Sequence, residues 1–274
     1  MSHPLCSRVL TAAIAATAAL GALTACTAGA GQSGSTQSGE AGSGTSEAGG
    51  ATVVVFAAAS LSKAFPEIVD EVFTPANTGA GISFSFAGSK DLVEQMGAGA
   101  PVDVFASADA TNMETATTEG LVGSSGSFAS NTLILVTPAD NPGGITGLDS
   151  SLEGHSLVVC AEGVPCGNAT KKLTEKLGIT LSPVSEEQSV TDVLGKVTSG
   201  QADAGIVYVT DAASAGDQVT TIPIAGADAV VNDYRIAVTS STTHSAQAQA
   251  FVDAVNSPEG QAILARYGFA SPLQ

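Results

Sequence analysis

The sequence is poor in basic residues. Its 274 residues contain 9 Lys and Arg against 26 Asp and Glu, which gives a formal net charge of −17. Nucleic-acid binding depends on Lys and Arg at the phosphates, so this balance argues against a nucleic-acid partner. It also disfavours a basic patch for anionic lipids. An anion bound by this chain would have to be held against the overall charge by local dipoles and hydrogen bonds.

Histidine and tryptophan are also scarce. The chain has no Trp and three histidines, His3, His155 and His244, which are scattered along the sequence. Cys160 and Cys166, without accompanying histidines, do not make a zinc site. Neither a G-x-S-x-G nucleophile motif nor a Walker A phosphate loop occurs. With 44% hydrophobic and only 13% charged residues, the chain can still bury a substantial core.

The N-terminus has the features of an export signal. Arg8 precedes an apolar run over 9–23, which has the length of a signal-peptide core and falls short of the ~20 apolar residues that span a bilayer. The run ends in LTAC, which resembles the cleavage box of bacterial lipoproteins. We predict a signal peptide over 1–25 and lipidation of Cys26. An ordinary signal peptide with a chance cysteine is the alternative.

The cysteines fit an exported protein. Residues 26–50 comprise the lipidated cysteine and a segment rich in Gly, Ser, Thr and Ala without periodicity, which predicts a flexible tether. Cys6 falls in the signal peptide and Cys26 at the lipidation site. Cys160 and Cys166 are left in an oxidising setting, where leftover pairs usually join. We therefore predict a Cys160–Cys166 disulfide and a protein lipid-anchored at the outer face of the cell membrane.

From residue 51 onward, strand patterns alternate with helical ones. The first five elements read βαβαβ, which favours an α/β fold with mostly parallel sheets. Segments 99–110 and 200–212 echo each other, each being a helix end, a strand and a small loop with Asp, which suits two similar lobes. Strands are predicted over 52–58, 81–88, 102–109, 131–138, 156–163, 204–209 and 234–239, and helical stripes over 61–72, 92–96, 168–177, 192–200 and 246–269, the last broken at Pro258.

Two strand-to-helix transitions combine very small residues with a serine. In VFAAASLSKAF, over 55–65, three alanines precede Ser60, and FAGS, over 86–89, ends in Ser89. A helix start presents unpaired N–H groups and the positive end of the helix dipole, and small side chains let an anion approach them. The pattern predicts anion contacts at both turns. A plain capping role for each serine is the alternative.

The same stretch also matches an enzyme motif. Ser60 and Lys63 fit S-x-x-K, which penicillin-binding proteins and β-lactamases use for a serine nucleophile, but the accompanying S-D-N and K-T-G motifs do not occur. Three isolated carboxylates, Asp103, Asp109 and Asp211, lie near predicted strands. We interpret them as caps or loop residues, because carboxylates would repel a bound anion.

Six segments together resemble the periplasmic molybdate-binding proteins of ABC transporters. They occur in the order typical of that family and cover nearly all of 52–269. The segments are VVFAAASLSKAFPEI, FSFAGSKDLVEQMGAGAPVDVFASAD, NTLILVTP, EGVPCGNATKKLTEKLG, GQADAGIVYVTDA and SPEGQAILARYGF.

The resemblance implies an oxyanion site built from neutral donors. Ser60, Ser89 and Tyr208 would donate hydroxyls, and Cys166 and Val190 would donate backbone N–H groups. Family members often carry Ala at the position of Cys166, but only a main-chain N–H is needed there. On sequence alone, Val190 could equally be a packing residue. A strand tyrosine such as Tyr208 is more often packing than binding, but its position in AGIVYVTDA favours binding. Molybdenum would be present only as its oxyanion, without direct side-chain coordination, and no cofactor is implied.

The implied fold is α/β, a two-lobed periplasmic binding protein fold of type II-like organisation. Each lobe would be a mostly parallel sheet flanked by helices, with the ligand in the cleft. Lobe 1 is predicted over 51–130 plus 239–274, and lobe 2 over 131–238. Hinge crossings are expected near 131–136 and 234–239.

The implied function is capture of molybdate or tungstate by an extracytoplasmic lipoprotein, which delivers it to the permease and ATPase subunits of an ABC transporter. No enzymatic activity is expected, and the protein is expected to be a monomer. A binding protein for another tetrahedral oxyanion, such as sulfate or phosphate, is one alternative. A serine acyl-enzyme that uses Ser60 and Lys63 is an alternative from another class.

Overall fold

The computed structural model describes residues 51–273, which form two five-stranded sheets. The predicted signal peptide, Cys26 and the tether lie outside the described residues. The strands are β1 (Thr52–Ala58), β2 (Gly81–Ala87), β3 (Val104–Ser107), β4 (Gly126–Asn131), β5 (Leu133–Pro138), β6 (Leu157–Cys160), β7 (Ser185–Glu187), β8 (Ala204–Tyr208), β9 (Val219–Ile222) and β10 (Asn232–Val238).

The two sheets repeat one pairing scheme. The first has the order β2-β1-β3-β10-β4 and the second the order β7-β6-β8-β5-β9. In each sheet the first three strands pair in parallel and the last three antiparallel. The prediction of an α/β fold with two sheets is confirmed, but the sheets are mixed rather than mostly parallel. Apolar runs reveal strands without revealing the direction of their partners, which explains the error.

The echo noticed in the sequence corresponds to equivalent places in the two sheets. Strands β3 and β8 are each the middle strand of their sheet. Just before them, Asp103 accepts a hydrogen bond from the Val54 N–H and Asp203 accepts one from the Ser156 N–H, both at 2.8 Å. Each carboxylate thus ties its middle strand to the neighbouring parallel strand, and Asp103 is a structural residue.

Two crossings connect the sheets. Thr132 alone separates β4 in the first sheet from β5 in the second, and residues 223–231 lead from β9 back to β10. Strand β10 pairs with β3 and β4 in the first sheet, although the predicted second lobe of 131–238 contains it. The return crossing therefore precedes residue 232 instead of lying at 234–239, because the strand pattern of 234–239 carries no signal for which sheet it joins.

Helices pack on both sheets. They are α1 (Ala64–Ile68), α2 (Thr74–Ala76), α3 (Ser89–Gly97), α4 (Ala110–Thr118), α5 (Pro165–Leu177), α6 (Val190–Thr198), α7 (Val209–Ala215), α8 (Ser245–Asn256) and α9 (Pro258–Arg266), with a 3-10 turn at Ala59–Leu61 and a π-helical segment at Val69–Phe73 between α1 and α2. Between residues 51 and 273, no helix has the length and apolar character needed to cross a membrane.

Local sequence explains the bounds of the best-predicted helix. Pro165 occupies the first position of α5, where its missing N–H costs nothing, and Gly178 ends the helix in the left-handed conformation at φ 65°. By contrast, α4 is not apparent from the sequence, because its segment ATNMETATT has only a weak apolar stripe. Strand β7 is also missed, since three residues are too few for a periodicity.

Phenylalanine rings form the centre of the first lobe, by which we mean the first sheet with the helices packed on it. Phe65 of α1 contacts Phe84 of β2, Phe128 of β4 and Phe251 of α8, with centroid distances of 6.2, 5.8 and 5.5 Å. This cluster holds the C-terminal helix α8 against elements from the beginning of the chain. We call the second sheet with its helices the second lobe.

Candidate functional site

The five residues predicted to bind a ligand line one cavity between the two lobes. The 3-10 turn and α3 of the first lobe contribute Ser60 and Ser89, and α5, α6 and the end of β8 in the second lobe contribute Cys166, Val190 and Tyr208. No charged side chain occurs among the described residues that line the cavity. The remaining lining residues are Ala58, Ala59, Ala87, Gly88, Ala108, Val164 and Pro165.

Two of the helices that point at this cavity begin without a side-chain cap. Gly88 precedes α3 and Val164 precedes α5, and at neither helix does a side chain accept from the first N–H groups. Helix α4, by contrast, is capped, because the Asp109 carboxylate accepts from the Asn112 N–H at 2.9 Å. Uncapped N–H groups and the positive helix dipole make the walls of the cavity suited to an anion.

The side-chain cap of helix α6 leaves the N–H of its first residue free. Ser189 accepts from the N–H of Asp192, at 3.2 Å, and so serves the third residue of the helix. Val190, the first residue, is buried against the cavity and keeps its N–H for another acceptor.

The hydroxyl groups of Ser89 and Tyr208 are hydrogen-bond acceptors toward the protein. The Ala108 N–H donates to Ser89 Oγ at 3.1 Å, and the Asn232 Nδ2 donates to Tyr208 Oη at 2.8 Å. A hydroxyl has one hydrogen and two lone pairs. Since a lone pair of each oxygen is occupied by a protein donor, its single hydrogen is left to donate into the cavity.

Ser60 belongs to a longer hydrogen-bonded chain. Its Oγ lies 2.9 Å from Tyr234 Oη, and Asn131 Nδ2 donates to the same Oη at the longer distance of 3.4 Å. Either hydroxyl can be the donor in the contact between Ser60 and Tyr234; when Tyr234 donates, the Ser60 hydrogen is left for the cavity. All three hydroxyls can thus present a hydrogen to the cavity.

Burial keeps the tyrosines protonated. Tyr208 and Tyr234 are almost completely buried, and desolvation raises the pKa of each phenol well above its ordinary value. Tyr208 is therefore a neutral donor throughout the physiological pH range. Behind it, Asp211 accepts from the Tyr208 N–H at 3.2 Å, and burial raises the pKa of this carboxyl to about 7.

A disulfide braces the start of α5. Cys160 at the end of β6 is bonded to Cys166 in the first turn of the helix, with 5.6 Å between their Cα atoms, so the predicted pairing is confirmed. Gly167 follows in a place where a Cβ would lie 1.9 Å from the Ala161 carbonyl oxygen. The strand end and the helix start thus approach too closely for any larger residue at position 167, and Cys166 lines the cavity from this compact turn.

Hydrogen bonds also join the lobes beside the cavity. Asn168 of α5 donates to Asp109 of the first lobe at 3.0 Å, and Asn112 of α4 donates to the Gly163 carbonyl at 3.1 Å. The two carboxylates Asp109 and Asp211 serve as a helix cap and a first-turn acceptor, as predicted. The two lobes are therefore in contact beside the cavity.

Lys63 makes no hydrogen bond with Ser60 in this structure. The Ser60 hydroxyl is buried against Tyr234, whereas Lys63 is exposed just before α1. This arrangement lacks the lysine-to-serine contact on which an S-x-x-K nucleophile depends. Within residues 51–273 there is also no group of three or more His, Cys, Asp or Glu that could hold a metal ion.

Four residues in or behind the cavity wall were not predicted from the sequence. They are Ala108, Asn131, Asn232 and Tyr234, which orient the hydroxyls that line it. Asn131 and Asn232 lie at the ends of strands, where Asn is common for local reasons, and Tyr234 reads as an ordinary strand residue. The one available signal for Asn131, Asn232 and Tyr234 was their proximity to the crossings between the sheets, and Ala108 carried none.

The family model of bacterial extracellular solute-binding proteins matches residues 53–270. The chain belongs to this family.

Named relatives make the comparison more specific. The molybdate-binding protein ModA of Mycobacterium bovis is 47% identical over 226 residues, which is 82% of this chain and 86% of the relative. The molybdate-binding protein ModA of Escherichia coli is 34% identical over 248 residues, with 83% and 92% covered.

Solved structures share the fold. The periplasmic molybdate-binding protein of Azotobacter vinelandii superposes with a TM-score of 0.71 at 23% identity, covering 81% of this chain and 100% of that one. The sulfate-binding protein SubI of Mycobacterium tuberculosis gives 0.68 at 16% identity, with 81% and 87% covered. At these identities the superpositions establish the two-lobed fold and leave the ligand to be argued from the site.

Proposed function

We propose that this protein captures molybdate, or the similar tungstate, outside the cytoplasm and delivers it to the permease and ATPase subunits of an ABC transporter. One observation supports the proposal: three hydroxyl groups line a cavity beside uncapped helix starts, and each lies within hydrogen-bond distance of a protein group that can donate to it, which leaves its own hydrogen for a ligand. The relatives named as molybdate-binding proteins support this choice of anion.

Neutral donors suit a fully deprotonated dianion. Such an anion needs donors on all its oxygens and offers no hydrogen in return, and the residues lining the cavity supply hydroxyls and N–H groups without a carboxylate. Phosphate carries a proton at neutral pH and would place it against donors. Sulfate shares the charge and shape of molybdate, so it is the second candidate and is distinguished by size.

We also propose that the lobes close on the ligand. Lobe 1 would comprise residues 51–131 with 232–273, and lobe 2 the segment between the crossings, which modifies the bounds predicted from sequence. Ser60 and Ser89 lie on one side and Cys166, Val190 and Tyr208 on the other, so neither lobe alone provides a complete donor shell. Affinity then depends on closure.

The cellular setting is proposed from the N-terminal sequence. The apolar run and LTAC support export and lipidation at Cys26, with residues 27–50 as the tether at the outer face of the membrane. The protein would act as a monomer, without a cofactor and without nucleic acid. We propose no enzymatic role, since the Ser60 hydroxyl faces Tyr234 and Lys63 is exposed.

Calorimetric titration with molybdate, tungstate, sulfate and phosphate tests the proposal. Ser60→Ala, Ser89→Ala and Tyr208→Phe each remove one bond to a charged ligand, worth roughly 1.5–3 kcal/mol, so each should weaken molybdate binding about ten- to a hundredfold. Lys63→Ala is the control and should bind like the parent.

An acyl-enzyme predicts the reverse pattern. Lys63→Ala would then be the damaging change, and a serine-reactive probe would label Ser60. Tighter binding of sulfate than of molybdate would replace molybdate with the second candidate. If the parent binds none of the four anions, the proposed function is wrong.

A further inference from the structure

Asn232 lies directly behind the cavity and contacts two of its walls. It is the first residue of β10, it is buried, and its Nδ2 donates to the Ala108 carbonyl oxygen and to Tyr208 Oη, both at 2.8 Å. A carbonyl oxygen can only accept. The amide nitrogen of Asn232, and not its oxygen, must therefore face this pair, so chemistry determines the orientation of the side chain.

This orientation determines what Tyr208 can do. If the amide oxygen faced Tyr208, the phenol would donate its only hydrogen to Asn232 and would present a lone pair to the cavity. With the nitrogen there, the phenol accepts from Asn232 and its hydrogen remains available. The Ala108 residue that Asn232 holds by its carbonyl also donates its N–H to Ser89 Oγ at 3.1 Å. Asn232 thus supports the donor direction of both hydroxyls.

We propose that Asn232 is a positioning residue of the oxyanion site, which directs the hydroxyl hydrogen of Tyr208 toward the ligand. The contact joins the two lobes, since Asn232 belongs to β10 of the first sheet and Tyr208 ends β8 of the second. Asn232 therefore directs the Tyr208 hydrogen toward the cavity only when the lobes are arranged as in this structure. This inference rests on the proposed function. It specifies how the protein ensures that Tyr208 presents a hydrogen, and not a lone pair, to the ligand.

Asn131 provides a natural counterpart. It is the residue paired with Asn232 between β4 and β10, and it is equally buried, with 4% of its surface exposed against 5% for Asn232. Its Oδ1 accepts from the Thr132 N–H at 3.0 Å, which again determines the amide orientation, and its Nδ2 donates to Thr210 at 2.8 Å. Asn131 makes no hydrogen bond to Tyr208 in this structure, so it serves as a matched control.

A double-mutant cycle in molybdate affinity tests the inference. Asn232→Ala should weaken binding about tenfold in the parent but less than about threefold in the Tyr208→Phe background, because the hydroxyl that it orients is then gone. Asn131→Ala should cost about the same in both backgrounds. Thermal unfolding of each ligand-free variant is recorded alongside, so that a loss of fold is not mistaken for a loss of orientation.

A second variant reverses the polarity instead of removing the side chain. Asn232→Asp keeps the size and shape. Titrated at a pH high enough to ionise this buried carboxyl, it can only accept, so the Tyr208 hydrogen turns away from the cavity. Asn232→Asp should bind molybdate more weakly than Asn232→Ala. The difference in affinity between these two variants should be smaller when each also carries Tyr208→Phe. This variant still tests the inference if Asn232→Ala fails to fold.

The outcomes separate the two proposals. Additive effects of Asn232→Ala and Tyr208→Phe, or parent-like binding by Asn232→Asp, would overturn the positioning role while the parent still binds molybdate. If the parent binds no oxyanion, the proposed function and this inference fall together.

Discussion

A tight approach between the backbones of the two lobes offers a test of closure that leaves every proposed ligand contact in place. Gly88 precedes α3 in the first lobe, and a Cβ built on it would lie 2.1 Å from the Gln188 carbonyl oxygen in the second. Its φ of −61° and ψ of 137° are ordinary for alanine. Gly88→Ala is therefore free of backbone strain, and its methyl group clashes only with the opposite lobe and not with its own helix.

The magnitude follows from the geometry. Ordinary contact begins near 3.4 Å, so the two backbones must separate by more than 1 Å at this point. Such a shift would break hydrogen bonds across the cleft, which now measure 3.0 Å from Asn168 to Asp109. A ligand held from both sides would lose at least two bonds of roughly 1.5 kcal/mol or more each, so we expect molybdate affinity to fall at least about a hundredfold.

The assay combines calorimetric titration with small-angle scattering. Gly88→Ala should bind weakly and should fail to become more compact with molybdate, while its ligand-free thermal stability stays near that of the parent. Gly195→Ala is the matched control, because Gly195 lies within α6, where a Cβ meets nothing within 4 Å. If Gly88→Ala binds within about threefold of the parent, affinity does not depend on closure at this contact.

Three further results are expected. Burial raises the pKa of Asp211 to about 7 from the ordinary 3.8. The protonated carboxyl therefore contributes its full stabilisation of the fold below pH 3.8, and this contribution falls as the pH rises and is lost by about pH 7. The loss is on the order of 4 kcal/mol, and urea unfolding at several pH values should show a flatter profile for Asp211→Asn; identical profiles would contradict the burial argument. Reduction of the Cys160–Cys166 disulfide should weaken molybdate binding less than about tenfold in a titration with reductant, because only the start of α5 loosens; complete loss would contradict this. Mass spectrometry of the mature protein should find an acyl chain on Cys26, and an unmodified Cys26 would refute the proposed anchor.

The pairing scheme shared by the two sheets has a consequence for the site. Strands β3 and β8 occupy equivalent central positions, and the residues that follow or end them, Ala108 and Tyr208, both reach the cavity. Each lobe therefore contributes the end of its middle strand and the start of at least one neighbouring helix. An anion at this place meets positive helix ends from both sides, which compensates locally for the charge of −17.

Three of the five cavity-lining residues named from the sequence were predictable from local pattern. Ser60, Ser89 and Cys166 each lie at a strand-to-helix turn with small or rigid neighbours, and such turns present free N–H groups whatever the rest of the chain does. Val190 and Tyr208 were less certain from local pattern and depended on the resemblance to a family. All five residues line one cavity.

The amino-acid sequence by itself determined the alternation of strands and helices, the turns that could receive an anion, and the pairing of the two cysteines, since these depend on neighbours within a few residues. Only the tertiary structure decided the antiparallel place of β10 in the first sheet and the contacts of Asn131, Asn232 and Tyr234 with the site. These contacts join residues 24 to 174 positions apart. The direction of a hydroxyl hydrogen depends on which distant donor occupies its oxygen, and no local pattern in a sequence carries that information.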